Sequence, residues 1–298
     1  MIEVDITTDE LAALVEEAMA PEEEVVTIPD NLDLLTKTDN LSRFQGAMWF
    51  DAVQQLRVTI AGLGGIGSWT ALLLSRLNVE NIRLIDPDNV EEVNMAGQLY
   101  RSSHIGSSKV NSTTFNIQEF SNYYKVDYQT RRIEECNLYH NILICGFDNM
   151  TARKNAFYMW KRRIINLLPE DREKALFIDG RLDAEDLQIF CITGNDEHLM
   201  EKYEREYLYD DSDVEEAPCS FKQTSYLAAM IGSLITNLVV NFNFFYKKFL
   251  STLGCISSIS FFTSFSSIPS ITASSEALYL AFEESNFNNL IFINLPPF

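Results

Sequence analysis

The chain has 298 residues, 46% of which are hydrophobic, and its formal net charge at pH 7 is −20. This length and apolar content are sufficient for one large domain with a buried core and additional terminal segments. The negative charge argues against a nucleic-acid partner, because a phosphate backbone needs Lys and Arg to neutralise it.

The first 40 residues are predicted to be an acidic N-terminal extension. They contain twelve Asp or Glu residues and one Lys. A solvated arm is the favoured interpretation, and a docking arm for a basic partner or for the other subunit is the alternative. No basic segment followed by an apolar segment opens the sequence, so no signal peptide is predicted.

A glycine-rich segment follows the first predicted strand, Arg57–Ala61, and precedes a predicted helix over residues 68–77. Its glycines are Gly62, Gly64, Gly65 and Gly67. A strand, a glycine turn and a helix direct backbone N–H groups and a helix N-terminus at a phosphate, which a Cβ would hold away from the backbone. Asp86 ends the next predicted strand, where a carboxylate can accept hydrogen bonds from ribose hydroxyls. This pattern alone predicts a nucleotide site, most simply for a dinucleotide.

Further polar residues downstream have no role in a nicotinamide site. They are Asp88, Asn94, Gln98 and Lys109. Lys109 supplies a cation for the phosphates of a nucleoside triphosphate. A third predicted strand, residues 141–145, precedes Asp148 and Asn149, and Arg153 lies one turn into the next helix. An Asp at the carboxyl end of a parallel strand, facing the glycine loop, can hold a Mg²⁺ ion that bridges phosphate oxygens.

Four motifs in this order resemble those of the ThiF/MoeB/HesA family, the adenylating domain of ubiquitin-activating enzymes. The motifs are GxGGxGS from Gly62 to Ser68, DxDxVExxN from Asp86 to Asn94, GxxK from Gly106 to Lys109 and DNxxxR from Asp148 to Arg153. We therefore predict a doubly wound, Rossmann-like α/β fold, with a mostly parallel sheet and helices on both faces. The predicted adenylating domain covers residues 41–250.

The resemblance implies a reaction and a set of cofactors. ATP and Mg²⁺ would serve to adenylate the C-terminal carboxylate of a ubiquitin-like or sulfur-carrier protein, and the enzyme would be a homodimer. Asp86 would hold the ATP ribose, Lys109 the phosphates and Asp148 the Mg²⁺. Lys109 and Arg153 would act by positioning and charge neutralisation. The other residues implied to bind the cofactor are Gly62, Gly64, Gly65, Gly67, Asp88, Asn94, Gln98 and Asn149.

Two arginines of the family pattern are absent. The N-L-x-R-Q motif has Gly97 at the arginine position. The R-x-x-R-Q motif, which lends an arginine to the partner's site in the family, keeps Arg43 and has Gly46 at its second arginine. Arg43 and Arg101 are close enough in sequence to substitute, and Arg43 is predicted to be a catalytic residue alongside Lys109 and Arg153.

Cys219 is a candidate for a covalent step. It lies in Ala-Pro-Cys-Ser, after the acidic residues 210–216 and before a predicted helix. This setting is similar to the Pro-x-Cys-Thr of thioester-forming cysteines, and a helix N-terminus would lower the pKa of the thiol. The alternative is a small residue at a helix start, in an enzyme that only adenylates.

Three later segments have competing interpretations. Asp179-Gly-Arg181 is either a turn with a surface salt bridge or a contact for the substrate's C-terminal tail. Residues 226–245 are apolar enough for a membrane span, but their Ser, Thr and Asn residues favour a buried or dimer-interface helix and no membrane partner. Residues 251–298 form an apolar, Ser- and Phe-rich tail without Lys or Arg. No function is assigned to this tail.

The cysteines suggest a compartment. They are Cys136, Cys145, Cys191, Cys219 and Cys255, without a CxxC pair. This spacing disfavours zinc and gives no sign of disulfides, so a cytoplasmic location is expected.

Two other functions are compatible with parts of the sequence. A nicotinamide-dependent oxidoreductase would explain the glycines and Asp86, but it leaves Lys109, Asp148 and Arg153 without roles. A non-catalytic nucleotide-binding scaffold is permitted by the two absent arginines.

Overall fold

A computed structural model describes residues 39–44, 46–47, 49–183, 186–210, 224–251 and 291–294. The predictions for residues 1–38, for Cys219 and for most of the apolar tail lie outside this part of the chain.

The strands of the described residues form one seven-stranded sheet in the order β3-β2-β1-β4-β5-β6-β7. They are β1 Arg57–Ala61, β2 Asn81–Ile85, β3 Val126–Gln129, β4 Ile142–Cys145, β5 Leu176–Asp183, β6 Asp186–Thr193 and β7 Ile291–Asn294. Strands β1 to β5 are parallel, whereas β6 and β7 add in antiparallel fashion. All four residues of β4 are buried, as expected for a central parallel strand covered on both faces.

Seven α-helices lie in the described residues. They are α1 Phe50–Val53, α2 Gly65–Arg76, α3 Lys109–Ser121, α4 Met150–Ile165, α5 Pro169–Arg172, α6 Glu197–Tyr207 and α7 Ser225–Ser251. Short 3₁₀ turns cover Asp39–Phe44, Glu92–Ala96, Ser102–His104 and Ile133–Glu135. Side chains cap the N-termini of two of these helices. The Asn149 side chain accepts a hydrogen bond from the amide of Ala152 at the start of α4, and the Asp196 side chain accepts one from the amide of Leu199 at the start of α6.

Helices cover both faces of the sheet, so the core has two halves. On one face, α1, α2, α3 and α7 pack on alternate strand residues such as Ile60, Leu84 and Ile144. On the other, α4 and α6 enclose an aromatic cluster that includes Phe157, Trp160 and Phe177. This arrangement confirms the predicted doubly wound, mostly parallel α/β fold.

Helix α7 is long and apolar enough to cross a membrane, judged by length and composition alone. Its window Ser225–Phe242 has a mean hydropathy of 1.4, and 39% of that window is buried. Residues four positions apart are buried in the core: Leu227, Ile231, Ile235 and Val239. Gly232 lets α7 approach α2, because a Cβ there would lie 2.9 Å from the Cβ of Trp69. The helix therefore packs as a core helix of the domain, which is the buried-helix interpretation of residues 226–245.

The strand order reverses between β1 and β4. From β1 the chain winds outward through β2 and β3, and after β4 it winds the other way through β5. In such sheets the loops at the carboxyl ends of the two central strands diverge and leave a crevice. The loops after β1 and β4 flank this crevice.

Candidate functional site

The glycine loop packs directly against the loop after β4. Gly62 has a positive φ of 83° and donates its N–H to the carbonyl of Ile85 at 2.9 Å. A Cβ on Gly62 would lie 2.7 Å from the carbonyl oxygen of Gly146, and one on Gly67 would overlap the carbonyl of Gly62. These two glycines are therefore required by the fold of the loop itself.

Gly64 differs from Gly62 and Gly67 because a Cβ at this position would have room. The nearest atom to a Cβ at Gly64 would be the Nε2 of Gln98, 3.8 Å away. Gly64 is also the N-cap of α2, and its position provides no side-chain cap. Helix N-terminal N–H groups without a capping side chain can bind an anion, so the loop has the form of a phosphate site.

The two kinds of glycine give a first prediction. Gly67→Ala should destabilise the protein by about 1–3 kcal/mol, because its Cβ has no space beside the Gly62 carbonyl. Gly64→Ala, with its nearest neighbour at 3.8 Å, is the matched variant and should unfold closer to wild type. Thermal denaturation of both proteins checks this order, and equal melting temperatures would contradict it.

Asp86 joins the loops after β1 and β2. One of its carboxylate oxygens accepts the N–H of Leu63 at 2.6 Å, and the other accepts the N–H of Asp88 at 2.8 Å. Burial raises the pKa of Asp86, and the positive charge of Lys109 partly offsets this effect. Each oxygen retains a second lone pair, so the carboxylate could also accept a hydrogen bond from a ribose hydroxyl.

Lys109 is the first residue of α3 and is almost completely buried. Its Nζ donates to a carboxylate oxygen of Asp88 at 2.9 Å, and its backbone N–H donates to the Asp88 carbonyl at 2.8 Å. The Asp88 side chain is 62% exposed. The ammonium group therefore lies between a buried carboxylate, Asp86, and an exposed one.

Asn94 and Gln98 occupy the segment between β2 and α3. The side-chain oxygen of Asn94 accepts the N–H of Glu91 at 2.8 Å and caps a 3₁₀ turn. The buried Oε1 of Gln98 has no hydrogen-bond partner among the described residues. An unpaired buried acceptor beside Gly64 is suited to a ligand with a donor group.

Tyr100 forms a hydrogen bond to the backbone of the glycine loop. The sequence did not predict this role. The Tyr100 hydroxyl donates to the carbonyl of Leu63 at 2.5 Å and lies 3.3 Å from the Oγ1 of Thr113. Burial raises the pKa of Tyr100 well above its usual range, so the hydroxyl remains a donor. No motif marks this tyrosine, because its partner lies 37 positions away in the chain.

Asp148 and Asn149 lie in the loop between β4 and α4. The Asp148 side chain is exposed and accepts a hydrogen bond from the Nδ2 of Asn149 at 3.1 Å. No group of three or more His, Cys, Asp or Glu residues in the described part of the chain could hold a metal ion. Mg²⁺ often takes one or two carboxylates together with water and substrate phosphates, so a single Asp is compatible with a magnesium nucleotide.

Arg153 is 6% exposed. Its guanidinium donates to a carboxylate oxygen of Asp179, to the carbonyl of Phe147 and, at 3.0 Å, to the carbonyl of Gly180. Asp179 and Arg181 form a largely buried ion pair within β5, so the interpretation as a turn with a surface salt bridge is wrong. Contact of these residues with the substrate's tail stays a prediction. A role of Arg153 in charge neutralisation stays a prediction, and its observed contacts are with Phe147 in the loop of Asp148 and with Asp179 and Gly180 in β5.

The two candidate substitutes for the absent arginines have different surroundings. Arg101 pairs with Glu119 and lies over the rings of Phe115 and Phe120, beyond the first turn of α3. This placement directs Arg101 toward the outer surface of α3 and not toward its N-terminus. Arg43 is exposed at the end of a 3₁₀ turn, where it is accessible to a second subunit.

A cavity of about 900 Å³ lies at the opposite edge of the sheet, beside the first residues of β1, β2 and β4. Its charged residues already have protein partners: Arg57 pairs with Glu80, and Arg163 donates to the carbonyl of Tyr139. None of the predicted site residues lines it. The candidate chemistry therefore belongs to the crevice at the carboxyl edge.

The ThiF family model matches residues 38–242 of the chain. Ubiquitin-like modifier-activating enzyme 5 of Dictyostelium discoideum is 34% identical over 143 residues, which are 48% of this chain and 30% of that enzyme. The NEDD8-activating enzyme E1 catalytic subunit of Caenorhabditis elegans is 30% identical over 110 residues, which are 35% of this chain and 26% of that subunit. The chain thus spans about a quarter to a third of the length of these curated relatives.

A solved structure has the same fold. It is the E. coli tRNA N6-threonylcarbamoyladenosine dehydratase TcdA in complex with AMP, with a TM-score of 0.53 and 15% identity, covering 72% of this chain and 96% of that one. TcdA has also been solved in complex with ATP.

Proposed function

Because the chain belongs to the ThiF family, we propose that it is an adenylyltransferase, which activates the C-terminal carboxylate of a ubiquitin-like or sulfur-carrier protein with Mg·ATP. A carboxylate oxygen of the carrier would attack the α-phosphorus of ATP. The bond from this phosphorus to the bridging oxygen would break, so that an acyl-adenylate forms and pyrophosphate leaves.

The observation that supports this proposal most is the arrangement at the carboxyl edge of the sheet. The open Gly64 loop, the buried Asp86 and the Asp88–Lys109 pair all border the crevice between β1 and β4. The loop would bind phosphate through backbone N–H groups, Asp86 would bind the ribose, and Lys109 would neutralise charge on the phosphates. A nicotinamide enzyme needs no lysine at this place.

Asp148 would supply the protein ligand of the magnesium ion. The ion would neutralise phosphate charge as a Lewis acid when bound. The protein residues would contribute chiefly by holding the carboxylate of the carrier and the α-phosphate in line.

ATP–pyrophosphate exchange tests the proposed reaction. With a panel of small β-grasp carrier proteins, we expect exchange only when a carrier with a free C-terminal glycine is present. Calorimetry should also show binding of Mg·ATP and no binding of NADH. The reason is that Lys109, which is paired with Asp88, would neutralise triphosphate charge and has no role in a nicotinamide site. Tight NADH binding without ATP binding would favour the oxidoreductase, and ATP binding without exchange would favour the scaffold.

The partners in this proposal are the carrier protein and a second copy of the chain. The relatives named above include enzymes whose names refer to ubiquitin-like modifiers and to NEDD8, which supports a carrier of this class. The exposed position of Arg43 is compatible with a contribution to the site of the partner subunit. Such a contribution would compensate for Gly46 and Gly97.

Cys219 is proposed to accept the acyl group from the adenylate in a second step. Its thiolate would attack the acyl carbon and displace AMP, which yields a thioester. Carrier, ATP and enzyme should then give a thiol-sensitive adduct on non-reducing gels. Cys219→Ala should lose this adduct and retain pyrophosphate exchange, whereas an adduct that persists in Cys219→Ala would limit the enzyme to adenylation.

A further inference from the structure

A fully buried carboxylate lies directly behind the loop of Asp148. Asp179 has no exposed surface, and its oxygens accept hydrogen bonds from Arg153, from the Nε of Arg181 at 2.8 Å and from the Tyr203 hydroxyl at 2.9 Å. A buried carboxylate is costly unless charges and donors satisfy it, and here two guanidinium groups and a phenol do so.

Arg153 connects this carboxylate to the Asp148 loop, defined here as residues 146–149. One terminal nitrogen of its guanidinium bonds to Asp179 and to the carbonyl of Gly180, and the other bonds to the carbonyl of Phe147, the residue before Asp148. The rigid, planar guanidinium holds the loop by its backbone against the middle of β5. The backbone that precedes Asp148 is fixed in this way, whereas its carboxylate remains exposed.

Arg181 and Tyr203 extend the network to helix α6. Arg181 donates to the carbonyl of Tyr207, the last residue of α6, at 2.8 Å, and its guanidinium lies 4.4 Å from the centre of the Phe190 ring. Tyr203 lies on the same helix, α6, and is fully buried within the aromatic cluster that includes Phe177 of β5. The network therefore joins the Asp148 loop, the middle of β5 and the end of α6.

Stability alone gives little reason for this arrangement. Replacing buried ion pairs by apolar residues of similar volume is often neutral or stabilising. Apolar side chains, however, could not hold the Phe147 carbonyl at a set position. The directional bonds of Arg153 do so before any ligand arrives.

We propose that Arg153 and Asp179 are positioning residues, which fix the Asp148 loop so that its carboxylate is preorganised for the magnesium of Mg·ATP. This inference rests on the proposed function. Neither residue touches the metal or the nucleotide: Arg153 acts through the Phe147 carbonyl, and Asp179 acts through Arg153. None of the hydrogen bonds of Arg153 is to the glycine loop, although that loop packs against Gly146. We therefore expect binding of the nucleotide without metal to keep its wild-type affinity when the network is changed.

Magnesium dependence distinguishes positioning from a merely structural role. Arg153→Lys keeps the charge and loses the fork that joins Asp179 to Phe147. It should raise the MgCl₂ concentration for half-maximal pyrophosphate exchange about tenfold, as loss of a supporting contact does at other metal sites. The affinity for ATP in EDTA should stay at its wild-type value. Tyr203→Phe removes one hydrogen bond to Asp179, keeps the packed ring, and should raise the same concentration about threefold.

Lys161→Gln provides a matched control. Its pair with Glu204 at 2.6 Å also joins α4 to α6, but it does not contact the Asp148 loop. This variant should show the magnesium dependence of wild type. A change as large as that in Arg153→Lys would overturn the proposal, because any loosening of α4 on α6 would then suffice.

Hydrogen–deuterium exchange of the ligand-free protein gives a readout that does not need activity. Amides of residues 146–149 should exchange faster in Arg153→Lys than in wild type, and those of residues 91–98 should not change. Two results would overturn the positioning role. One is an unchanged rate of amide hydrogen exchange at residues 146–149 in Arg153→Lys, and the other is a magnesium requirement within twofold of wild type in both Arg153→Lys and Tyr203→Phe. If wild type catalyses no exchange reaction, the proposed function fails, and the amide measurement still tests the network.

Discussion

Asp148→Asn is expected to reduce pyrophosphate exchange by about 100- to 1,000-fold, the loss typical of one preorganised electrostatic contact. The carboxylate is exposed at the end of β4 and bonds to its neighbour Asn149, so its replacement should change the free energy of unfolding by less than about 0.5 kcal/mol. A stable fold with a lost reaction would separate the metal role from packing. Exchange assays and thermal denaturation of the same preparation give both quantities.

Glu170→Gln is a suitable control for the Asp148 variant. Glu170 is an exposed acid in the first turn of α5, before β5 and therefore at the other edge of the sheet. The Glu170→Gln variant should catalyse pyrophosphate exchange at the wild-type rate. An Asp148→Asn rate within threefold of wild type would show that the metal carboxylate lies elsewhere.

Asp148→Asn can also be used to test whether Arg43 contributes to the site of a second subunit. If Arg43 acts across a dimer, mixing Asp148→Asn with Arg43→Ala should restore about one quarter of the activity, because half of the random dimers contain one intact site. If Arg43 acts in its own subunit, no mixed dimer has an intact site. A monomer at micromolar concentration by light scattering would also count against the contact.

Lys109→Ala is expected to raise the activation free energy of pyrophosphate exchange by about 2–4 kcal/mol, which lowers kcat/KM by about 30- to 1,000-fold. The ammonium is nearly buried beside Asp86 and Asp88, where a charge interacts more strongly than in water. Its removal also leaves two carboxylates next to the phosphates of ATP. Affinity for ATP should therefore fall together with the rate, and calorimetry alongside the exchange assay measures both.

Lys109→Ala should also change the pH dependence of ATP binding. Burial already raises the pKa of Asp86, and Lys109 counteracts the rise, so the variant should have an Asp86 pKa above that of wild type. Protonated Asp86 loses acceptors for a ribose, so affinity weakens as pH falls through this pKa. The weakening should begin at a higher pH in Lys109→Ala, and Lys109→Arg should follow the wild-type curve. Coincident pH curves for Lys109→Ala and wild type would show that the two groups do not interact.

The centre of the fold was predictable because its signals are local. The run Arg57–Ala61, the glycines after it and the apolar residues 142–145 each fall within one element, and the structure places a strand, a loop and a strand there. Helix α2 begins at Gly65, three residues before the predicted start, because the last glycines of the motif form its first turn. Strand β3 was missed: all four of its residues are half-buried at this edge of the sheet, and Val-Asp-Tyr-Gln lacks an apolar run.

The candidate site was less accessible to prediction, because its supporting contacts depend on distant residues. The motif predicts that Arg153 acts in the site by positioning and charge neutralisation, and the structure pairs its guanidinium with Asp179, 26 positions away. The register of β4 and β5 places Cys145 opposite Asp179 and so brings this carboxylate under the Asp148 loop. Tyr203 reaches Asp179 only because α6 packs over the same face. No local pattern encodes such a meeting of three elements.

The seam between β1 and β4 has a consequence for how the protein is made. Thr59 and His140, which meet at this seam through a 3.1 Å hydrogen bond, lie 81 positions apart in the chain. A ribosome needs about 4–16 s to add that many residues. Throughout this interval Gly62 exists without Gly146, against which its loop packs. The nascent nucleotide loop therefore completes its packing only after β4 and Gly146 have left the ribosome.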